Sequence, residues 1–220
     1  MTGQARLVEV LLDRHGRTFS GELGIPLEEN TPGPLFRWLC AALLMSARIS
    51  AEVALQAAAA LSRAGWTTPA KMVESRWEDR VRTLNAAGYG RYDESTARML
   101  GETAELLQAE YGGDLRRLRE RAGRNAAAER RLLKAFKGIG DVGAAIFLRE
   151  VQIVWDEVHP FADRKALAAA GKLGLPDTAE GLAALVPRGD FPRLLAALIR
   201  ADLARDLESV AIAARDRQAR

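Results

Sequence analysis

The sequence predicts an all-α fold of about ten helices, and three observations carry that prediction. Apolar residues recur three and four positions apart in one segment after another, as on the buried stripe of a helix. The segments open on residues that cap helices and close on glycine. No segment alternates apolar and polar residues for long enough to make a convincing strand, and no repeat of fixed period is present. With 220 residues, 48% of them hydrophobic, the chain can bury a substantial core, as one large domain or two closely packed lobes.

In chain order, Val8, Leu11 and Leu12 mark a short helix broken by Arg14, His15 and Gly16. The stretch from Ser20 to Pro34, with three prolines and three glycines, reads as a long connection. Leu35, Phe36, Leu39, Cys40, Leu43 and Leu44 then predict a central helix, Leu35 to Arg48, buried on most sides. Ser50 caps a helix ended by Gly65, and Thr68-Pro69 joins an N-cap to a helix-initiating proline for a short helix to Glu74. Trp77, Val81 and Leu84 mark a helix that stops near Gly88, and a longer one runs from Tyr92 to Tyr111 with Gly112-Gly113 as terminator. Asp114 caps a short basic helix and Asn125 the next one. Val142 to Val154 ends in β-branched residues, but its length and the lack of a partner run favour a helix. Asp163 precedes a helix over Arg164 to Lys172, Asp177 or Thr178 starts one to Leu185, and Leu194, Leu195, Leu198, Ile199 and Leu203 place a last helix from Phe191 to about Ala214.

Composition narrows the chemistry. Charged residues make up 28% of the chain and the net charge is +3, a mildly basic balance that permits a nucleic-acid surface without requiring one. Cys40 is the one cysteine, so no disulfide framework and no cysteine-held zinc or iron–sulfur cluster is expected, and Cys40 itself reads as a small buried hydrophobe. The N-terminus lacks the apolar core of a signal peptide, and no apolar run approaches the ~18 residues of a membrane span. The expectation is a soluble, cytoplasmic monomer without a membrane partner, nucleoid-associated if bacterial. Trp38, Trp66, Trp77 and Trp155 are expected in the core.

The chain turns on Gly138-Ile139-Gly140-Asp141-Val142-Gly143, set between two apolar helical runs. Glycines at i, i+2 and i+5 demand a tight backbone turn before the helix restarts, and the restarting helix offers N–H groups without intrahelical partners. A phosphate fits there, although an ordinary helix–helix turn has the same pattern. No strand precedes these glycines, so a dinucleotide-binding reading fails. Farther on lies Val158-His159-Pro160-Phe161-Ala162-Asp163-Arg164-Lys165.

The hairpin with Asp163 beyond it resembles the helix-hairpin-helix and Gly/Pro-Asp signature of the endonuclease III superfamily of DNA glycosylases. Leu44-Met45-Ser46-Ala47-Arg48 is similar to that family's L-L-S-A-Q stretch, and Gly88-Tyr89 with Tyr92 to Ala97 to its G-L/F-Y-x-x-K-A stretch; Leu173-Gly174 follows Asp163 at the family's distance. The likeness spans roughly residues 34 to 175. Val151 to Lys165 looks most like the mismatch-specific thymine glycosylases of the methyl-CpG-binding-domain type, whose hairpin reads G-I-G-K-Y-G and whose aspartate lies in V-H-P-x-D-x-K, with one extra residue here between Pro160 and Asp163.

The resemblance implies a two-lobed helix-hairpin-helix DNA glycosylase fold: a six-helix lobe over residues 33–155 ending in the hairpin, and a second lobe from residues 1–32 plus 156–220, with Asp163 where the lobes meet. It implies double-stranded DNA as partner, held by Lys137, Gly138, Ile139, Gly140, Val142, Gly143, Arg164 and Lys165, with a monovalent cation at the hairpin carbonyls and no other cofactor or metal. Asp163 takes the catalytic place, as a carboxylate that orients water against a sugar gathering positive charge; as an alternative, or in addition, it is an N-cap. Arg48 and Tyr89 match the residues that fill the gap left by a flipped base, against the plainer readings of a helix-end arginine and a turn tyrosine. His159 belongs to the approach to the pocket.

Two departures bear on the reaction. Where the bifunctional branch carries a Schiff-base lysine this chain has Val142, and the four cysteines of the iron–sulfur branch are missing. The expected activity is therefore monofunctional hydrolysis of an N-glycosidic bond. The rivals are a DNA-binding protein without catalysis, a glycosylase/lyase using Lys137 or Lys165, and an interaction module whose hairpin meets an acidic protein patch.

Overall fold

The computed structural model describes residues 3–216; Met1, Thr2 and the charged end at 217–220 lie outside the described residues. Fourteen α-helices and three short 3-10 turns are present among the described residues, with no strand. They are α1 (Gly3–His15), α2 (Phe19–Glu22), α3 (Pro32–Ser46), α4 (Ala51–Arg63), α5 (Pro69–Glu74), α6 (Trp77–Ala86), α7 (Asp93–Tyr111), α8 (Leu115–Arg121), α9 (Ala126–Leu133), α10 (Asp141–Val151), α11 (Arg164–Lys172), α12 (Ala179–Ala183), α13 (Phe191–Leu203) and α14 (Leu207–Asp216). The all-α expectation holds. Two differences bring the twelve helices read in chain order to fourteen: Phe19–Glu22 forms a turn of helix inside the expected connection, and the last predicted helix splits at Arg205, whose φ of 56° is left-handed. No helix among the described residues is long and apolar enough to cross a membrane.

Capping side chains start six of these helices. Ser50, Thr68, Asp114, Asn125, Asp163 and Thr178 each accept a hydrogen bond from a backbone N–H two or three residues on. Gly65, Gly88 and Gly112 have positive φ just beyond the ends of α4, α6 and α7, so the terminators read in the sequence are left-handed turns.

The chain folds as two compact units, Leu23–Val158 and a second built from the segment up to Glu22 together with His159 onward. The first holds eight α-helices, α3 to α10, against the six that the resemblance implies and in line with the eight helical segments read in the sequence over this stretch. Its axis is α3, on which Leu35, Phe36, Trp38, Leu39, Cys40, Leu43 and Leu44 are all buried. Helices α4, α8 and α10 pack around it, and the Trp38 indole donates to the Phe147 carbonyl of α10 at 3.0 Å. Burial raises the Cys40 thiol pKa far above its ordinary value, leaving an uncharged filler. Trp38 and Trp155 are fully buried as expected, whereas Trp77 lies at the surface and donates to the Glu94 carbonyl. Arg80 of α6 is buried, its guanidinium donating to the carbonyls of Met72, Ser75 and Ala97, so one side chain ties α5, α6 and α7. In the second unit, α1 and α11 pack on α13. Arg193 donates to the Gly16 carbonyl and Arg200 to that of Arg17.

Candidate functional site

The hairpin is the best-defined feature of the first unit. Phe136 and Ile139 are buried on either side of Lys137 and Gly138, which face outward. The Thr103 hydroxyl of α7 donates to the Lys137 carbonyl at 3.1 Å, and the Phe136 ring lies 6.1 Å from that of Tyr111. These contacts anchor the entry to the turn.

The three glycines have different reasons to be glycine. Gly138 has φ of 84°, and a Cβ there would stand 2.7 Å from Met99 Sδ and 3.3 Å from Leu43, so both conformation and space exclude a side chain. Gly140 has φ of −91° and ψ of −163°, which any residue adopts, and a Cβ there would meet nothing within 4 Å. Nothing inside the protein explains its lack of a side chain. Gly143 lies in the first turn of α10, where a Cβ would make ordinary contact with Ile139 and Ser46.

Helix α10 has no side-chain cap. Among the described residues, the backbone N–H groups of Gly140, Asp141, Val142 and Gly143 make no hydrogen bond, while the Gly140 carbonyl accepts the first bond of the helix from Ala144. The result is a cluster of open donors at the positive end of an 11-residue helix, with Gly140, Asp141 and Val142 exposed and Gly143 buried. Val142 is 56% exposed and carries no amine.

The C-terminal end of α3 lies under this turn, since Leu43 and Ser46 are the neighbours of Gly138 and Gly143. Helix α3 ends at Ser46, two residues earlier than expected, and Arg48 is exposed in the bend that follows. It is thus a surface arginine close in sequence to the hairpin's support rather than a helix-end residue. Tyr89 does not fit the gap-filling place read for it. It is fully buried, and its hydroxyl donates to the Leu44 carbonyl at 3.0 Å. Burial raises its pKa, so it stays a phenol, and it braces α3 from within; the exposed tyrosine-side residue of that loop is Arg91, stacked on the half-buried Tyr92 ring at 5.3 Å.

In the second unit, Asp163 is the N-cap of α11, its Oδ1 accepting the Ala166 N–H at 2.9 Å, and it is buried. The cap bond fixes the plane of the carboxylate and places it at the positive end of a helix. Arg164 and Lys165 follow it and are exposed. His159 packs edge-on against Phe191, ring centres 5.3 Å apart, four residues before Asp163.

Two charged clusters rest on pairings that sequence reasoning did not join, although Lys134 reads in the sequence as a flanking cation for phosphate. On the helix leading into the hairpin, Arg130 and Lys134 both donate to one oxygen of Asp141, at 3.2 and 2.9 Å. The hydrogen bond from Lys134, helped by Arg130, holds the Asp141 carboxyl below its usual range. The signal was the i, i+4 spacing of Arg130 and Lys134, an acid seven residues farther on being too common to single out. On the buried side of α9, neither oxygen of Glu129 meets an N–H or hydroxyl donor. Burial and the neighbouring Glu157 push Glu129 up to about 8, so at neutral pH it carries a proton and can donate to Glu157. Burial alone would raise Glu157 too, but Arg119, which grips both its oxygens at 2.6 Å, and the proton on Glu129 hold it low instead. No group of three or more potential metal ligands occurs among the described residues.

No protein-family model and no curated protein sequence matches the chain. Solved structures do. A trapped endonuclease III–DNA covalent intermediate with an estranged adenine is 16% identical over 74% of this chain and 71% of its own, with a TM-score of 0.47. A non-covalent endonuclease III–DNA complex is 15% identical over 83% of this chain and 85% of its own, with a TM-score of 0.50. The helical fold of this chain resembles that of endonuclease III.

Proposed function

We propose that this chain is a DNA N-glycosylase that removes a damaged or mismatched base from double-stranded DNA by hydrolysis, leaving an abasic site. The observation that carries the reading is the uncapped start of α10, where the backbone N–H groups of the open Gly140 and of the three residues after it are without partners among the described residues, in a fold like that of a DNA-bound endonuclease III. Such donors suit a backbone phosphate. Lys137, Arg164 and Lys165 supply exposed charge for further phosphates, and Arg48 is the residue we assign to the gap opposite a flipped base.

Asp163 is the base in this reading. Breaking the glycosidic bond places positive charge on the sugar, which an ionised carboxylate stabilises while it accepts a proton from the attacking water. The bond to Ala166 leaves such a carboxylate oriented before substrate arrives. The mechanism needs water, Asp163 and the duplex, without a cofactor. Val142 has no amine to form a Schiff base, so the product stays an intact abasic strand.

One observation favours a second reading, a DNA-binding protein without catalysis: the Asp163 carboxylate is already engaged as a helix cap. An Asp163→Asn variant separates the two, because asparagine caps helices as well as aspartate does and only the charge is lost. Base release should be screened over uracil, thymine mismatches, oxidised pyrimidines, oxidised guanine and alkylated purines. Release by the wild type that falls at least about a hundredfold in the variant, with DNA affinity kept, supports the enzyme; no release from any duplex favours the second reading. Borohydride trapping of a protein–DNA adduct would instead make Lys137 or Lys165 a nucleophile.

A further inference from the structure

Arg130 and Lys134 stand one helical turn apart at the end of α9, and both cations converge on a single oxygen of Asp141, the first residue of α10. Two cations aimed at one oxygen make an anion site. Arg130, Arg131 and Lys134 also line an open concavity of about 440 Å³ whose remaining walls are Ala127 and Ala135, small side chains that leave room for a larger anion than a carboxylate. All three charged groups of the Asp141 cluster are substantially exposed, so water screens the pairs and they exchange readily. The site adjoins the open donors of Gly140 and Val142 along the chain.

We propose that Asp141 is an internal stand-in for a DNA phosphate: its carboxylate occupies the anion site of Arg130 and Lys134, and a duplex binds there by displacing it. This rests on the DNA-binding reading above and adds to it a second phosphate site, with a built-in competitor that weakens binding to DNA in general. A phosphate diester brings the same charge as the carboxylate with more acceptor oxygens, so the exchange keeps the cations paired. On release of DNA, Asp141 recaptures them.

The test is Asp141→Asn in the full chain, with affinity for an undamaged 20-base-pair duplex measured from roughly 50 to 200 mM KCl. The variant should bind roughly three- to tenfold more tightly at the low end, with a log–log salt slope steeper by about one. Adding Arg130→Ala and Lys134→Ala should abolish that gain, whereas Glu74→Gln, which removes one negative charge from α5, should not reproduce it. Unchanged or weaker binding by Asp141→Asn overturns the proposal, as does a gain that survives loss of both cations. If the wild type binds no duplex, the functional reading falls, and titration with inorganic phosphate still decides the anion site: resonances of Arg130 and Lys134 should shift at lower phosphate in Asp141→Asn than in the wild type, and equal titrations would overturn it.

Discussion

The starts of α10 and α11 are built from the same backbone geometry and finished in opposite ways. At α11 a carboxylate closes the helix end, Asp163 accepting the Ala166 N–H. At α10 the cap is Gly140, with no side chain to offer, and the donors stay open. A helix end that supplies its own anion fixes the place of that anion, while one that withholds it keeps the place for a visitor. In the function proposed above, the first serves chemistry and the second grip.

Substitutions at the two ends should therefore fail differently. The largest effect belongs to Asp163. Asp163→Asn should abolish base release by at least about a hundredfold with an unchanged melting temperature, whereas Asp163→Ala should lose the activity and also about 1 kcal/mol of stability in urea unfolding. Equal stability of the two would mean that the cap contributes nothing.

Next comes Glu129, which seats α9 and so delivers the hairpin. Its pKa is raised on folding, so the native state holds a proton that the unfolded chain releases above the ordinary carboxylate range. Its contribution to stability is full at low pH, falls as pH rises toward about 8, and changes little beyond. Glu129→Gln should flatten that fall, by roughly 1–3 kcal/mol between pH 5 and 9 in urea melts. A wild type whose stability does not decline over that range would contradict the buried proton.

The glycines give the smaller effects and the sharper contrast. Gly138→Ala places a methyl group at positive φ against Met99 and Leu43 and should cost on the order of 1–2 kcal/mol of stability. Gly140→Ala should cost almost nothing in stability, yet weaken duplex binding roughly three- to tenfold by obstructing the donors, a loss of about 1 kcal/mol. A Gly140→Ala variant that binds DNA normally would remove the case for an external ligand at α10.

Much of the fold was legible because caps and terminators are local. Ser50, Thr68, Asp114, Asn125 and Asp163 act on the N–H groups two or three residues ahead, and Gly112 on the carbonyls just behind, so their roles follow from a few neighbouring residues. What was hidden depends on partners far along the chain. The break at Arg205 interrupts an apolar pattern that runs on unbroken; the break presents Asp206 to His15 of α1, Nε2 to Oδ2 at 2.7 Å, a contact across 191 positions. Tyr89 was misread for the same reason, because its hydroxyl reaches a carbonyl 45 residues away in α3 and only the folded chain shows that it points inward. In the site, the residues of the hairpin were legible as a motif. That Gly138 serves the fold and Gly140 faces open space required knowing what a Cβ would strike.

The second unit draws on both ends of the described chain, with α1 packed on α13 and Arg193 bonded to the carbonyl of Gly16 across 177 positions. During synthesis α1 emerges long before α13 and is thus among the last of these helices to find its partner. The contiguous Leu23–Val158 unit is complete, hairpin included, before α13 exists. Long-separated contacts carry the largest loop-closure cost, so this unit should mature first on the ribosome, and the docking of α1 should set the pace of the final step. The order of assembly places the hairpin early and the unit that carries Asp163 late, so a stalled chain would hold the motif without the residue to which we assign the chemistry.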